Sequence, residues 1–435
     1  MENMNVEVVK QQVIQKTMLR ILPFVLILYI VAHLDRVNIG YAALSMNAEL
    51  ALSAEVFGLL SGIFFIGYFL FEVPSNMILH RVGARVWIAR IMITWGVIVI
   101  LTGFVQSAVH LYILRFLLGV AEAGFFPGIL LYFTYWFRKR ERAIATSVLI
   151  LALPIGSIIG APLSTWIMDV VQWGGLSGWR WMFILEGIPA VVLGIIVLFY
   201  LINTPKQAKW LTKEERDWLE GELEKERAES KRVNKTTKKE MLKDMKVWQL
   251  TLIYFTNYTA MYGLGFWLPS IVKSLTENAS SNLQIGWITM IPALVGMISL
   301  LLMGWNASRT NSHRTHIIIS FLIALIGFGA SSFATSSVMM IMLLSFAAIG
   351  LYGFAGVYMA YMTFFFTEST APVGIALVNS LASLGGFVGP MIFGLVAIKS
   401  GMLLLATLAA IGMCTTIILK SKQSTVDANV KAESV

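Results

Sequence analysis

The chain has 435 residues, of which 57% are hydrophobic and only 13% are charged. Soluble domains average about 25% charged residues, so this composition excludes a protein that faces water on all sides. The formal net charge of +9 does not indicate a nucleic-acid partner, because most lysines and arginines lie in the terminal segments and in alternate loops. The single cysteine, Cys414, excludes a disulfide or a cysteine metal site within one chain.

Apolar stretches of about 20 residues, the length that crosses the hydrocarbon core of a bilayer, recur along the whole chain. We interpret the first as a retained helix and not as a signal peptide, because no small-residue cleavage site follows it. The pattern predicts an all-α integral membrane protein with twelve transmembrane helices in two six-helix bundles. The spans are predicted near 18–41, 54–76, 86–107, 110–134, 143–168, 181–203, 248–272, 284–305, 315–334, 337–366, 371–397 and 400–419.

The first span carries charge where hydrocarbon is expected. In "YIVAHLDRVNIGYAAL", residues 29–44, an acid and a base stand side by side as Asp35 and Arg36. A charge at the centre of a bilayer costs about 3 kcal/mol or more, so such residues face a partner or a cavity. We therefore predict a functional role for both. His33, two residues earlier, is interpreted as a hydrogen-bonded interior histidine and not as a titrating group.

The fourth span, "LYILRFLLGVAEAGFFPGILLYFTYWF", contains a second acid and base. Arg115 and Glu122 are seven residues apart, which places them on one helical face about 10 Å from each other. Two such pairs predict a functional cluster, with a purely structural ion-pair network as the alternative. Glu72 in the second span and Glu186 in the sixth are interpreted as helix-packing or gate residues in preference to proton sites.

Between the sixth and seventh spans, residues 204–247 are dense in both signs of charge, and Trp210 and Trp218 follow a helical stripe. This segment predicts a cytoplasmic linker. The predicted division is an N-terminal six-helix bundle at 1–203, the charged linker at 204–247, and a C-terminal bundle with a cytoplasmic tail at 248–435. Lysines and arginines in the short alternate loops place both termini in the cytoplasm by the positive-inside rule.

Polar and aromatic side chains gather in three further spans. Small-ligand pockets are walled by such groups, with a few polar atoms that set orientation. Together with the two arginines they make up the predicted substrate-binding set. Taken singly, each of these polar and aromatic residues is more often a helix-packing residue, except Asn379, for which packing and ligand contact are equally open. The predicted set is Arg36, Arg115, Tyr68, Asn257, Tyr258, Tyr262, Asn379 and Ser383.

Five segments carry a family resemblance: "LDRVNIGYAAL", "GIFFIGYFLFEVPSN", "RFLLGVAEAGFFPGILLYFTYWF", "FILEGIPA" and "ALVNSLASLGGFVGP". They resemble the anion:cation symporter family of the major facilitator superfamily, and within it the bacterial permeases for tartrate, hydroxyphenylacetate, phthalate and related organic acids. The resemblance implies uptake of an organic anion with protons across the bacterial inner membrane. It matches Asp35 and Glu122 to the proton-coupling carboxylates, and Arg36 and Arg115 to the arginines for anion binding and ion pairing.

The chain departs from the superfamily pattern in its short basic loops. His80 stands where that pattern has an aspartate and Asn76 where it has a glycine, while Ser308 replaces the aspartate expected in the second half. These changes concern how the cytoplasmic gate is held closed. They do not bear on whether the protein transports.

The leading hypothesis is therefore proton-coupled uptake of a small organic carboxylate, either a tartrate-like hydroxy acid or an aromatic acid. The alternatives are a proton-coupled exporter of drugs or metabolites and, less favoured, a transporter-derived sensor. We expect no enzyme activity, because no nucleotide loop, metal triad or nucleophile with its base is present in the sequence. The expected partners are the organic anion, protons and membrane lipid, with no cofactor and no nucleic acid, and the protein is expected to be a monomer.

Overall fold

A computed structural model describes residues 2–231, 241–276, 281–366 and 371–419, which are almost entirely helical. Residues 232–240 of the predicted linker and the predicted tail after Leu419 lie outside the described residues. The helices are α1 (Glu2–Glu49), α2 (Ala54–Val82), α3 (Ala84–Thr102), α4 (Ala108–Glu122), α5 (Phe125–Trp136), α6 (Lys139–Ile150), α7 (Ala152–Val170), α8 (Gly178–Tyr200), α9 (Lys213–Lys231), α10 (Met245–Leu275), α11 (Asn282–Thr310), α12 (His313–Ser331), α13 (Ser337–Thr363), α14 (Ala371–Ser383), α15 (Gly385–Leu395) and α16 (Ile398–Ile418).

Within the described ranges, eleven helical segments are long and apolar enough to cross a membrane. Three of them are pairs joined end to end: α4 with α5, α6 with α7, and α14 with α15. A twelfth long helix, α10, has 31 residues and mixes apolar side chains with Thr, Asn, Tyr and Gly. Its length exceeds the roughly 20 residues that a span needs. The described chain thus has as many long helical rods as the sequence predicted.

The join between α4 and α5 fixes the position of Glu122. Gly124 adopts the left-handed conformation with φ of 84°, which L-residues with a side chain rarely take. The α4 helix therefore ends at Glu122, and a new helix starts at Phe125. As a result, the acid lies at a break in the rod and not within a continuous helix.

The rods have two ends, which we define by their residues. The linker face is the end of the helical bundle at which α2 ends and α3 begins. At this end the backbone N–H of Arg85 donates to the side chain of Asn203 at 2.9 Å. The distal face is the opposite end, where Glu49 at the end of α1 accepts hydrogen bonds from Trp179 and Arg180 at the start of α8.

The first half, α1–α8, and the second half, α10–α16, meet closely near the distal face. A Cβ on Gly40 would lie 2.8 Å from the backbone oxygen of Phe266, and one on Gly58 would lie 2.8 Å from that of Pro390. Only glycine allows backbones of two helices to approach to this degree. Across the same interface, Lys273 donates to the backbone oxygen of Leu44. The two halves are therefore closed against each other at this end.

The described part of the linker contacts the first half. Lys16 of α1 forms an ion pair with Glu215 of α9 at 3.0 Å, and Arg138 lies 3.7 Å from Glu222. The rings of Trp136 and Trp210 stack with their centroids 5.7 Å apart. These contacts hold α9 beside the ends of α1 and α5. The linker and bundle boundaries given above stay predictions.

Candidate functional site

Arg36 of α1 is the centre of a buried cluster between the two halves. It is 5% exposed. Its Nη1 donates to the Tyr262 hydroxyl of α10 at 2.9 Å, and its Nη2 donates to the Glu122 carboxylate in an ion pair. The guanidinium carbon lies 5.2 Å from the centroid of the Phe64 ring and 5.5 Å from that of Tyr68. One arginine thus joins an acid of its own half to a hydroxyl of the other half.

Arg115 of α4 is the second guanidinium of the cluster. Its Nη2 donates to the backbone oxygen of Arg36 at 3.4 Å, and its guanidinium carbon lies 5.6 Å from the Phe64 ring centroid. Its Nε and Nη1 have no acceptor among the described residues, although the side chain is only 1% exposed. Buried donors of a charged group are costly without acceptors. Arg115 can therefore donate to a further acceptor without breaking an existing bond.

Asp35 does not pair with the arginine beside it in sequence. Its Oδ2 accepts a hydrogen bond from Trp95 Nε1 of α3 at 2.7 Å. Its Oδ1 has no donor in the described part of the chain, and the residue is 1% exposed. Successive side chains of a helix point about 100° apart, so Asp35 and Arg36 face different neighbours. Asp35 and Arg36, which are adjacent in sequence, therefore contact different residues.

An aromatic column on α10 lies beside Arg36. The rings of Tyr254 and Tyr258 are 4.8 Å apart, and those of Tyr258 and Tyr262 are stacked at 5.3 Å. Phe65 of α2 meets the Tyr262 ring edge-on at 4.6 Å. This column forms an apolar wall with hydroxyl groups, next to a positive charge.

Three predicted binding residues are engaged elsewhere. Asn257 donates to the backbone oxygen of Leu351 at 3.3 Å, which joins α10 to α13. Ser383 donates to a carbonyl of its own helix. Asn379 of α14 donates to Glu72 of α2 at 3.4 Å, a contact between the two halves. The structure therefore groups Arg36 with Arg115, Glu122, Tyr68 and Tyr262, with Tyr258 alongside, and leaves these three outside that group.

A small cavity lies at the centre of the interface, next to the cluster along α1. It has a volume of about 50 Å³. One water needs roughly 10–15 Å³ by this measure, so the space holds a few waters and no organic acid. Its walls come from both halves and are mostly apolar. The lining residues include Val37, Tyr41, Ser157, Thr289 and Tyr352.

Sequence reasoning identified the tyrosines of the cluster but missed two other aromatic residues, Trp95 and Phe64. Trp95 and Phe64 sit in the runs "MITWGV" and "GIFFIG", which show no polar pattern. An aromatic residue in an apolar span is expected to face lipid or pack in the core. Only the fold reveals that Trp95 donates to a carboxylate and that Phe64 lies between two guanidinium groups.

The fold consists of two helical bundles that enclose a buried charged centre and are closed at one face. This arrangement is typical of secondary transporters. The chain matches the model of the Major Facilitator Superfamily over residues 25–390. It therefore belongs to this superfamily, as the motifs predicted.

Relatives of known name share almost the entire length of the chain. A protein of Agrobacterium vitis named "Putative tartrate transporter" is 42% identical over 413 residues, which cover 94% of both chains. The "Quinolone resistance transporter" of Acinetobacter baumannii is 36% identical and covers 95% of this chain and 96% of its own. The "Inner membrane transport protein RhmT" of Escherichia coli is 33% identical and covers 96% and 97%. All three names describe transporters and not enzymes.

Solved structures support the fold. The chain aligns with a bacterial homologue of the human lysosomal transporter Spinster at a TM-score of 0.72, with 17% identity and coverage of 92% and 96%. It aligns with the Escherichia coli xylose transporter XylE at a TM-score of 0.73, with 14% identity and coverage of 94% and 99%. The predicted fold class, an all-α membrane protein with the major facilitator fold, is confirmed.

Proposed function

We propose that the protein takes up a small organic carboxylate together with protons across the bacterial inner membrane. One observation carries this proposal: a buried arginine at the interface of the two halves is bonded at once to an acid of one half and a hydroxyl of the other. Arginine suits the task because its planar fork holds a carboxylate by two hydrogen bonds. The binding set would be Arg36, Arg115, Tyr68, Tyr258 and Tyr262.

Proton coupling follows from competition for Arg36. The Glu122 carboxylate forms an ion pair with this guanidinium. An incoming carboxylate needs the same donors, and protonation of Glu122 weakens its hold on them. Anion binding and proton binding therefore favour each other, and this linkage is reciprocal. Asp35, which Trp95 holds on the other side of α1, would be the second coupling acid.

The aromatic column supports a substrate with either an aromatic ring or several hydroxyl groups. Tyr258 and Tyr262 present ring faces for stacking, and each also carries a hydroxyl that can bond a hydroxy acid. The name of the Agrobacterium vitis relative favours a hydroxy acid of the tartrate kind. In the proposed orientation the linker face and both termini are cytoplasmic, because the short basic loops lie at that end.

The test compares Arg36→Lys with the wild type in a thermal-shift screen of organic acids, followed by uptake of the labelled binder. Lysine keeps the charge but loses the fork, so binding should weaken about tenfold or more, as expected for a lost charge-assisted hydrogen bond. The matched control is Arg180→Lys, since Arg180 also pairs with an acid and lies over a tryptophan but sits at the distal face. Unchanged affinity in Arg36→Lys would refute the assigned role.

A second candidate is export of a drug in exchange for protons. The name of the Acinetobacter baumannii relative is the observation that favours it. A quinolone carries a carboxylate on an aromatic frame, which the same arginine and tyrosine wall could hold. Cells that express the chain should then tolerate quinolones better than cells with Arg36→Lys, whereas an importer would leave tolerance unchanged and accumulate the acid.

A further inference from the structure

Glu186 of α8 is a buried acid that the proposed mechanism does not use. It is 4% exposed. Its Oε1 accepts a hydrogen bond from Ser164 of α7 at 2.6 Å, and its Oε2 accepts one from Asn38 of α1 at 3.1 Å. Among the described residues, no lysine or arginine forms an ion pair with it. The carboxyl group thus joins three helices through neutral partners.

Within the part of the chain that the structure describes, the helices that pack around α8 place no cation next to Glu186. On α1, Asp35 and Tyr41 are close enough to interact electrostatically with Glu186, and neither is a cation. On α3 the residue opposite is Gly96, which packs on Gly187. Arg36, in the middle of α1, pairs with Glu122 and not with Glu186. Further charged side chains of the surrounding helices lie towards the helix ends: Arg85 and Arg90 on α3, Asp169 on α7 and Arg180 on α8.

The balance of charge in the interior points to bound protons. Away from the helix ends, the buried charged side chains of the described spans comprise two arginines, Arg36 and Arg115, and four acids. The acids are Asp35, Glu72, Glu122 and Glu186. Two cations can balance two carboxylates, and an unbalanced charge inside the membrane is unfavourable. The two arginines thus leave two acids without a balancing charge. Asp35 and Glu72 are close enough to Arg115 and Arg36 to interact with them electrostatically, whereas Glu186 has neutral partners, which makes it the best candidate to hold a proton.

Glu186 also has a connection to the central cluster. Asn38 follows Asp35 by three residues on α1, so their side chains are neighbours on one helical face. Asn38 Oδ1 and Asp35 Oδ1 are both buried oxygens with no hydrogen-bond donor in the described part of the chain. A proton on either carboxyl group would supply such a donor. Polar groups therefore extend from Glu186 past Asn38 towards Asp35, although no hydrogen bond joins Asn38 to Asp35 among the described residues.

The depth of Glu186 fits an entry position. It follows the start of α8 at the distal face by eight residues, or about 12 Å of helix. Asp35 precedes the distal end of α1 by fourteen residues, or about 21 Å. Glu186 thus lies between the distal face and the cluster.

We propose that Glu186 is a further proton-binding site of the transporter, which takes up a proton from the distal side and passes it on towards Asp35. The step moves one proton from the Glu186 carboxyl group to the Asp35 carboxylate, and no electrons are transferred. The inference rests on the proposed function in one respect, because the proton that Asp35 receives is the one that the proposed mechanism couples to the substrate. A proton that never leaves Glu186 would instead make this residue a fixed neutral hydrogen-bonding node.

The first experiment asks whether Glu186 holds an exchangeable proton. Infrared difference spectra of the purified wild-type protein, taken between two pH values without substrate, should contain a C=O band of a protonated carboxyl group. That band should be absent in Glu186→Gln and present in Glu72→Gln, the matched control, since Glu72 is equally buried but is held by Asn379 on the other side of the cluster. A band that no change of pH affects would overturn the proposal.

The second experiment measures transport in vesicles by Glu186→Gln. Glutamine resembles the neutral acid, so substrate-for-substrate exchange should persist. One pH unit corresponds to a tenfold factor per proton, so the loss of one coupled proton should lower accumulation about tenfold per unit of imposed pH difference. Accumulation equal to that of the wild type would overturn the proposal. A wild type that ignores an imposed pH difference would refute the proposed proton coupling, while the infrared result still decides on Glu186.

A third variant covers the case in which Glu186→Gln does not fold. Ser164→Ala keeps the acid and removes the 2.6 Å hydrogen bond to it. The frequency of the pH-sensitive carboxyl band should then shift relative to the wild type, because its hydrogen bonding has changed. An unshifted band would assign the proton to another acid and overturn the proposal.

Discussion

The closed distal face depends on a contact that one substitution can remove. Asp169 near the end of α7 accepts hydrogen bonds from the Asn282 side chain at 2.7 Å, from its backbone N–H at 3.3 Å and from the Leu283 backbone N–H at 2.8 Å. A carboxylate of the first half thus caps the first turn of α11 in the second half. Both the hydrogen bonds and the helix dipole favour an acid at this position.

The size of the effect follows from these bonds. Hydrogen bonds to a charged group contribute about 1.5 kcal/mol each, and the two shorter ones dominate. Asp169 is partly exposed, so water replaces part of the loss, and we take about 2 kcal/mol for Asp169→Ala. The bonds exist only while the distal face is closed. The equilibrium between closed and open forms should therefore shift towards the open form by about 30-fold.

Labelling of a buried thiol measures this shift. Cys414 is the only cysteine and is replaced by serine, and Thr165→Cys then provides one thiol. Thr165 is 0% exposed and packs against Gly286 across the interface, one turn from Asp169. A maleimide should react with it about 30-fold faster in the Asp169→Ala background, as long as the open form remains a minor species.

A matched control distinguishes the loss of a contact between the two halves from the loss of a helix cap in general. Asp244 caps α10 within one half, where it accepts from the Lys246 backbone N–H at 2.9 Å. Asp244→Ala should therefore leave the labelling rate unchanged, although it also removes an acid from a helix start. Equal labelling rates in Asp169→Ala and the wild type would show that the glycine contacts alone close this face.

Two further predictions concern coupling and orientation. Glu122→Gln should retain substrate exchange but lose accumulation driven by a pH gradient, because glutamine accepts a hydrogen bond from Arg36 but carries no transferable proton. Asp35→Asn should behave in the same way if both acids carry protons. Continued accumulation by Glu122→Gln under a pH difference alone would refute its coupling role. A reporter that is active only in the periplasm, fused at Asn234 in the predicted linker, should stay silent, and a strong signal would reverse the proposed orientation.

The class of fold was predictable because a membrane limits the secondary structures that a spanning segment can adopt. Backbone groups in hydrocarbon must bond within their own segment, so each apolar run of about 20 residues has to be a helix. The ends of the spans were less accurate. The first span was predicted to end near residue 41, whereas α1 continues to Glu49. The added residues 42–49 mix apolar and polar side chains, and the helix continues through them, so the length of about 20 residues that a span needs underestimates the length of the helix.

The members of the central cluster were predictable, but their pairing was not. The cost of burying charge singles out Asp35, Arg36, Arg115 and Glu122 from the sequence alone. Which acid meets which base depends on how the helices pack. Arg36 pairs with Glu122, 86 positions away, and Asp35 turns to Trp95. Arg36 contacts Tyr262 for the same reason, since the approach of α10 to α1 is a property of the whole fold.

The cluster also explains why the anion and the proton would move together. Arg36 and Arg115 can balance two carboxylates, and the four buried acids already exceed that number. A substrate carboxylate adds one more negative charge to the same volume, where water offers little screening. Its entry is favourable only if one of the acids becomes neutral at the same time. Because Arg36 also bonds Tyr262 of the other half, a change in its acidic partner reaches the interface that has to rearrange. Under the proposed function, charge balance and the movement of the two halves would thus depend on the same guanidinium.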